Sequence, residues 1–261
     1  MVKRILDIVD MQNDFMDPKG ALYVQDAEKI IPKAKSFLKA LKTGDFDLAL
    51  VKYDTHFAES YAKNPESKQF PPHCVYGTWG WDMAFKIPVG TARDIPFYQM
   101  DKNVFDMWAR KPSLKEISFS DRFNSKAYKN LFKVGRLESP SENMPRNKFL
   151  KQMNVGSDTE VVMMGVASDY CVHDAMLGYL KRGCRVTVLS DLVQGIGTDV
   201  PGRAATGQIE DVLKLPVFAP YVASGKLRLS SSDDYLKSLR QDRKNDNKNE
   251  NRSCAVKSNR R

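Results

Sequence analysis

Short apolar runs recur along the chain and alternate with longer stretches whose apolar positions return every three or four residues. Residues 5–9 form such a run, broken only by Asp7, with Asp10 at its carboxyl end. Residues 27–41 carry apolar side chains at 27, 30, 31, 34, 37, 38 and 41, the stripe of an amphipathic helix that stops near Gly44. Further strands are predicted at residues 47–53, 92–98, 159–164 and 185–190, with a weak sixth at Val217 or residues 225–229. Strands alternating with helices predict an α/β fold, a parallel sheet covered by helices on both faces. No internal repeat is visible.

The most telling stretch is residues 161–172, V-V-M-M-G-V-A-S-D-Y-C-V. It reads as a buried strand, a tight turn at Gly165 and Ala167, and a helix that begins at Cys171. Free N–H groups and the positive end of the dipole at a helix start favour a thiolate. A small core cysteine is the alternative reading. Asp10, Asp54, Lys102 and Cys171 each fall at or just beyond the carboxyl end of a predicted strand. In open parallel sheets ligands bind at that edge, so four separate segments converge on one cleft. Taken singly, Asp10 and Asp54 also suit turn caps, and Lys102 a solvated lysine.

Three histidines occur, and two of them stand near these residues, in Asp54-Thr55-His56 and Phe70-Pro71-Pro72-His73-Cys74. Carboxylate and imidazole suit a borderline divalent metal: zinc first, iron or manganese as alternatives. Pro71 and Pro72 hold the second loop extended and lower the entropy lost in presenting His73. Glu66 is the candidate for a further ligand, with Glu59 behind it. Three protein ligands leave open positions for water or substrate, as catalytic sites do. His173 lies two residues beyond Cys171 on the same helix and so faces elsewhere; a packing or surface role is expected of it.

Composition narrows the classes. The 261 residues are 42% hydrophobic and 28% charged, enough for one substantial core or two small ones. No apolar run nears the roughly 20 residues that cross a bilayer, so no membrane partner is expected. The opening Met1-Val2-Lys3-Arg4 leads into a strand pattern rather than a signal sequence, and a cytoplasmic location is expected. The four cysteines (74, 171, 184, 254) have no paired spacing that would suit a disulfide framework or zinc knuckle. The formal charge is +9, but residues 240–261 hold eight Lys or Arg against three acidic residues, so about five of those charges lie in an Asn-rich tail. Nucleic-acid binding is therefore not expected as the main function. One domain is expected over residues 1–235, with a disordered basic tail over 236–261.

Four motifs in order resemble the isochorismatase-like cysteine hydrolases, and nicotinamidases most among them. They are Ile8-Val9-Asp10-Met11-Gln12-Asn13-Asp14-Phe15; Asp54-Thr55-His56; Phe70-Pro71-Pro72-His73-Cys74-Val75-Tyr76-Gly77-Thr78; and Gly165-Val166-Ala167-Ser168-Asp169-Tyr170-Cys171-Val172. The likeness covers about residues 4–210. It implies a doubly wound sheet of six mainly parallel strands and a triad of Asp10, Lys102 and Cys171. It also implies a cis peptide between Val166 and Ala167, and an oxyanion site at the amides of Ala167 and Cys171. One divalent metal would lie on Asp54, His56, His73 and Glu66, and a small amide would sit between Phe15 and Phe70. Trp79 and Trp81 suit core or interface better than pocket closure. The family often forms homo-oligomers.

The chain departs from nicotinamidases in three places. Asn103-Val104-Phe105-Asp106-Met107-Trp108 replaces small and hydroxyl residues after Lys102, Glu66 stands for a third histidine, and residues 109–147 look like an insertion, a lid or a subunit contact. Carbamoyl amidases usually lack the metal motif, and isochorismatases do not need the cysteine, so neither fits as well. A binding protein on the same fold that has lost activity is the alternative from another class.

Overall fold

A computed structural model describes residues 3–88, 94–113 and 125–258. Its centre is one sheet of eight strands: β1 (Lys3–Val9), β2 (Leu48–Asp54), β3 (Phe97–Lys102), β4 (Lys133–Arg136), β5 (Ser139–Pro145), β6 (Thr159–Gly165), β7 (Arg185–Val193) and β8 (Leu227–Ser230). The order across the sheet is β5-β4-β3-β2-β1-β6-β7-β8. All pairs from β3 to β8 are parallel, whereas β3–β4 and β4–β5 are antiparallel.

The expected count of six is thus corrected to eight. The six parallel strands match the expectation, and the surplus is a hairpin folded from the stretch read as an insertion. Its strands hide from sequence patterning because β5 is S-P-S-E-N-M-P, with almost no apolar alternation. For β3, residues 92 and 93 of the expected span lie outside the described residues. Val217 is not in a strand; helix Ala219–Ala223 follows it, and β8 is the sixth parallel strand.

Alternate residues of each strand enter two cores. Leu6, Ile8, Ala49, Val51, Val162 and Met164 pack with Ala34, Phe37 and Leu38 of helix Ile31–Ala40. Ile5, Val9, Leu48, Leu50, Val161 and Met163 pack instead with Val172, Met176 and Tyr179 of helix Cys171–Lys181. Both faces being covered, these strands read as nearly continuous apolar runs. Asp7 and Lys52 break the second core as a fully buried pair, with Nζ 2.9 Å from Asp7 Oδ2. The expected helix over 27–41 is a 3₁₀ turn, Ala27–Ile30, followed by an α-helix from Ile31, because Pro32 has no N–H and suits a first turn.

The C-terminal stretch also differs from expectation. A helix, Ser232–Ser258, runs where a disordered tail was predicted from residue 236. Tyr235 and Leu239 are buried, the former stacked at 6.2 Å on Phe46, so the packed body extends past the expected boundary at 235. Polar composition hid this, since two apolar anchors suffice when Arg4 and Asp45 pair with Asp242 and Arg243. Among the described residues no helix is long and apolar enough to cross a membrane.

Candidate active site

β1 connects outward to β2 and β3 on one side, while β6, β7 and β8 lie on the other. The strand order therefore reverses between β1 and β6, and the crevice beyond their carboxyl ends is where such sheets bind ligands. Asp10 follows β1 there, Asp54 and Lys102 end β2 and β3, and Cys171 opens the helix after β6. The four residues expected to converge do so. Lys102 Nζ lies 2.8 Å from Asp10 Oδ2, 3.3 Å from Cys171 Sγ and 3.4 Å from Asp54 Oδ1. All four side chains are buried.

Burial alone would lower the pKa of the Lys102 ammonium, but the charges of Asp10 and Asp54 outweigh it and hold the pKa well above the ordinary lysine value. The Cys171 thiol is pushed well up by burial; Lys102 pulls it down, and Asp10, Asp54 and Glu66 push it up again. In this environment the resting sulfur keeps its proton, and a base must take it during reaction.

The turn before Cys171 starts at Gly165, where φ is 122° and a Cβ would stand 2.0 Å from Val9 O, so only glycine fits beside β1. The Val166–Ala167 peptide is cis. Ala167 O accepts from the amides of Tyr170 (3.0 Å) and Val172 (3.1 Å). Among the described residues the amides of Ala167 and Cys171 donate to no backbone carbonyl, which leaves both for another acceptor.

Beside this set, Asp54, His56, Glu66 and His73 bring one ligand atom each to within 4.8 Å of one another, all buried. Asp54 Oδ2 is 3.1 Å from His56 Nε2 and 3.0 Å from His73 Nε2, and Glu66 Oε2 is 3.4 Å from His56 Nε2. His73 Nδ1 donates to Pro71 O at 2.8 Å, which turns the lone pair of Nε2 toward the cluster. Both Glu66 oxygens are buried without a hydrogen-bond partner, the kind of orphaned acceptor a cation would satisfy. Burial raises the Glu66 pKa, and nearby Asp54 adds to the rise. Burial would do the same to Asp54, but His56 and Lys102 outweigh it and hold that carboxyl well below its usual range. Three buried carboxylates, Asp10, Asp54 and Glu66, face the single ammonium of Lys102 here. A divalent cation would neutralise the excess, and the mixed O and N donors suit zinc, iron or manganese. Glu59, the alternative to Glu66, is exposed.

Several supporting residues have roles that the sequence did not assign. Gln12 clamps Asp54 through both backbone groups, accepting from its N–H at 2.7 Å and donating to its carbonyl at 2.8 Å. Asp14 accepts from the Cys74 amide at 2.6 Å and so holds the His73 loop. Asn64 donates to Asn103 O at 2.8 Å, joining the metal loop to the segment after Lys102. Described residues of the insertion brace the segments that carry the site: Tyr128 packs on Phe57 at 3.9 Å, next to His56, and Arg146 donates to Met107 O and Ala109 O.

The aromatic wall is wider than expected. Phe15 and Phe70 flank His73 at 5.4 and 6.4 Å. Phe105 and Tyr170, not anticipated, meet Phe70 at 5.8 and 5.2 Å and each other at 5.0 Å. Trp81 is partly buried and bonded to Thr55, whereas Trp79 is exposed. His173 packs on Phe218 at 4.9 Å and meets Asp174 at 2.8 Å, in keeping with a packing role.

Known proteins resemble the chain in sequence and in fold. No family profile matches the chain. A nicotinamidase of Saccharomyces cerevisiae is 25% identical over 221 residues, 75% of this chain and 90% of that protein. A nicotinamidase/pyrazinamidase of Mycobacterium tuberculosis is 27% identical over 200 residues, 75% of this chain and 89% of its own. A pyrazinamidase of Pyrococcus horikoshii, solved in complex with zinc, superposes with a TM-score of 0.53 at 26% identity, over 88% of this chain and 99% of that one. Fold, motif order and relatives together support a place in the isochorismatase-like superfamily. Within it the chain is close to the nicotinamidases.

Proposed function

We propose that this chain is a metal-dependent cysteine amidohydrolase that converts nicotinamide to nicotinate and ammonia through a thioester on Cys171. The observation that carries the reading is the reach of Lys102, whose one ammonium touches Asp10, Cys171 and Asp54. It ties a base and a nucleophile to a buried donor set of the kind that holds a divalent metal. The nicotinamidase relatives supply the substrate class.

The amide lies against Phe15 and Phe70, with Phe105 and Tyr170 extending the apolar wall. Asp10 takes the Cys171 proton as the sulfur attacks the amide carbon, and Lys102 offsets the charge on sulfur. The amides of Ala167 and Cys171 donate to the oxyanion. The C–N bond breaks as Asp10 returns the proton to nitrogen, and ammonia leaves a thioester. Asp10 then takes a proton from an attacking water, the C–S bond breaks, and the acid departs with the thiol restored. Asp54, His56, Glu66 and His73 would hold the divalent metal, which supplies Lewis acidity and an anchor for a ring nitrogen or water when bound. Lys102 keeps its proton throughout.

Ammonia release from nicotinamide by the purified protein, with metal analysis, tests the reading. Turnover with a bound divalent metal, abolished in Cys171→Ala, is expected. Metal without ammonia would redirect the reading to another small amide, and undiminished turnover by Cys171→Ala would overturn the thioester.

A further inference from the structure

Cys171 contributes to the oxyanion site through its backbone, and that amide must be aimed. The peptide that carries it joins Tyr170 to Cys171, and in a trans peptide the C=O and N–H point in opposite directions. Whatever grips Tyr170 O therefore sets the direction of the Cys171 N–H. Tyr170 O accepts from the Asp174 amide at 2.9 Å, the first bond of the helix, and from Arg203 Nη1 at 3.3 Å. The same Nη1 donates to Asp169 O at 2.8 Å. Nη2 is fixed by Asp174 Oδ2 at 3.0 Å, and the guanidinium carbon stands 4.8 Å from the centre of the Tyr170 ring. Arg203 thus spans two successive carbonyls of the turn, an aromatic face and a carboxylate.

We propose that Arg203 is a positioning residue that aims and polarises the Cys171 amide toward the oxyanion. The inference rests on the reading of Cys171 as the nucleophile. A helix start is held by few bonds and frays easily, and the fork of Arg203 removes that freedom. Its positive charge at the carbonyl end also draws electron density through the peptide and makes the N–H a better donor. The rest of the loop over residues 194–207 holds the other half of the turn. Gln194 O accepts from the Ser168 amide at 2.9 Å, the Ser168 hydroxyl donates to Gly207 O, and Asp169 accepts from the amides of Ile196 (3.1 Å) and Gly197 (2.8 Å). None of these contacts reaches the Tyr170–Cys171 peptide.

The test compares two reactions of the same sulfur in the holoenzyme. Acylation by 4-nitrophenyl nicotinate passes through an oxyanion, whereas alkylation by iodoacetamide does not. In Arg203→Met, which keeps the stem over Tyr170, acylation is expected to fall at least tenfold. The fall is bounded by the roughly 10²–10³-fold that a lost oxyanion donor costs. Alkylation is expected to stay within about twofold of wild type, because a group acting only on the oxyanion has no part in that reaction. Arg203→Lys, which keeps the charge, falls in between, and Asp174→Asn shifts acylation the same way by less. Should Arg203→Met fail to fold, the last two variants carry the test. Unchanged acylation, or acylation and alkylation falling together, overturns the proposal. No acylation of the wild type removes the nucleophile and the inference with it. Acylation without ammonia release from nicotinamide overturns only the nicotinamide reading.

Discussion

Lys102 Nζ lies 3.4 Å from Asp54 Oδ1 while it also meets Cys171 Sγ at 3.3 Å, so one charge serves both halves of the site. Lys102→Met should raise the thiol pKa further, since burial and three carboxylates would then act on the sulfur without a counter-charge. The midpoint of Cys171 alkylation against pH should move upward, and the rate at pH 8 should fall by at least about tenfold, a single pH unit. An unshifted profile would show that Lys102 does not act on the sulfur.

Glu66 has two buried oxygens without partners beside Asp54 and two imidazoles. Adding zinc, iron or manganese to chelator-stripped protein should raise the melting temperature, by about 4 kcal/mol of stability at a thousandfold excess over Kd. Glu66→Gln should need at least about tenfold more metal for the same rise. Thermal denaturation across a metal titration measures both.

Asp101 is buried and points away from Lys102, and burial raises its pKa to about 6, with Gln99 donating to it in partial opposition. Between pH 4 and 6 the folded chain therefore holds a proton that the unfolded chain has released, so stability falls as pH rises through this window. Asp101→Asn should add on the order of 1–2 kcal/mol at pH 7 and nothing below pH 4. Urea denaturation at the two pH values decides it, and an equal effect at both would exclude the titration.

Phe70 meets Phe105 and Tyr170, and both it and Phe15 meet His73. Phe70→Ala should raise KM for nicotinamide about tenfold or more, by roughly the energy of one aromatic contact plus its lost apolar area, while kcat changes less. Steady-state kinetics on the variant would show a wall that orients rather than binds if kcat fell instead.

Leu239 is buried where a loose tail was expected. Leu239→Ala should cost about 2–4 kcal/mol. Thermal melts of the variant check this, and an unchanged melting temperature would show that the packed body ends before Leu239.

Much of the site was readable because its parts sit at strand ends, where a change from apolar run to a single charged residue is visible in one dimension. Asp10, Asp54 and Lys102 stand out in that way, Cys171 by the strand, tight turn and helix start around it, and His56 and His73 by their rarity. Phe105 and Tyr170 were not. Each is an ordinary aromatic whose neighbour, Phe70, is distant in sequence. Gln12, Asn64 and Arg203 act through backbone groups of other segments, a role that no residue type advertises. The β4–β5 hairpin escaped because its strands lack alternation, and the C-terminal helix because two apolar side chains and ion pairs hold it in place of an apolar stripe.

The hairpin changes the standing of the strand that ends in Lys102. Without it β3 would be the rim of the sheet, with half its backbone groups turned to water and able to pair with any extended chain. With β4 hydrogen-bonded from Tyr98 to Met100, β3 becomes an interior strand, held from both sides. The rim passes to β5, whose prolines at 140 and 145 cannot donate to a further strand. Proton exchange along β3 should consequently be as slow as in the centre of the sheet, and the lysine that serves both halves of the site is carried by backbone that does not breathe.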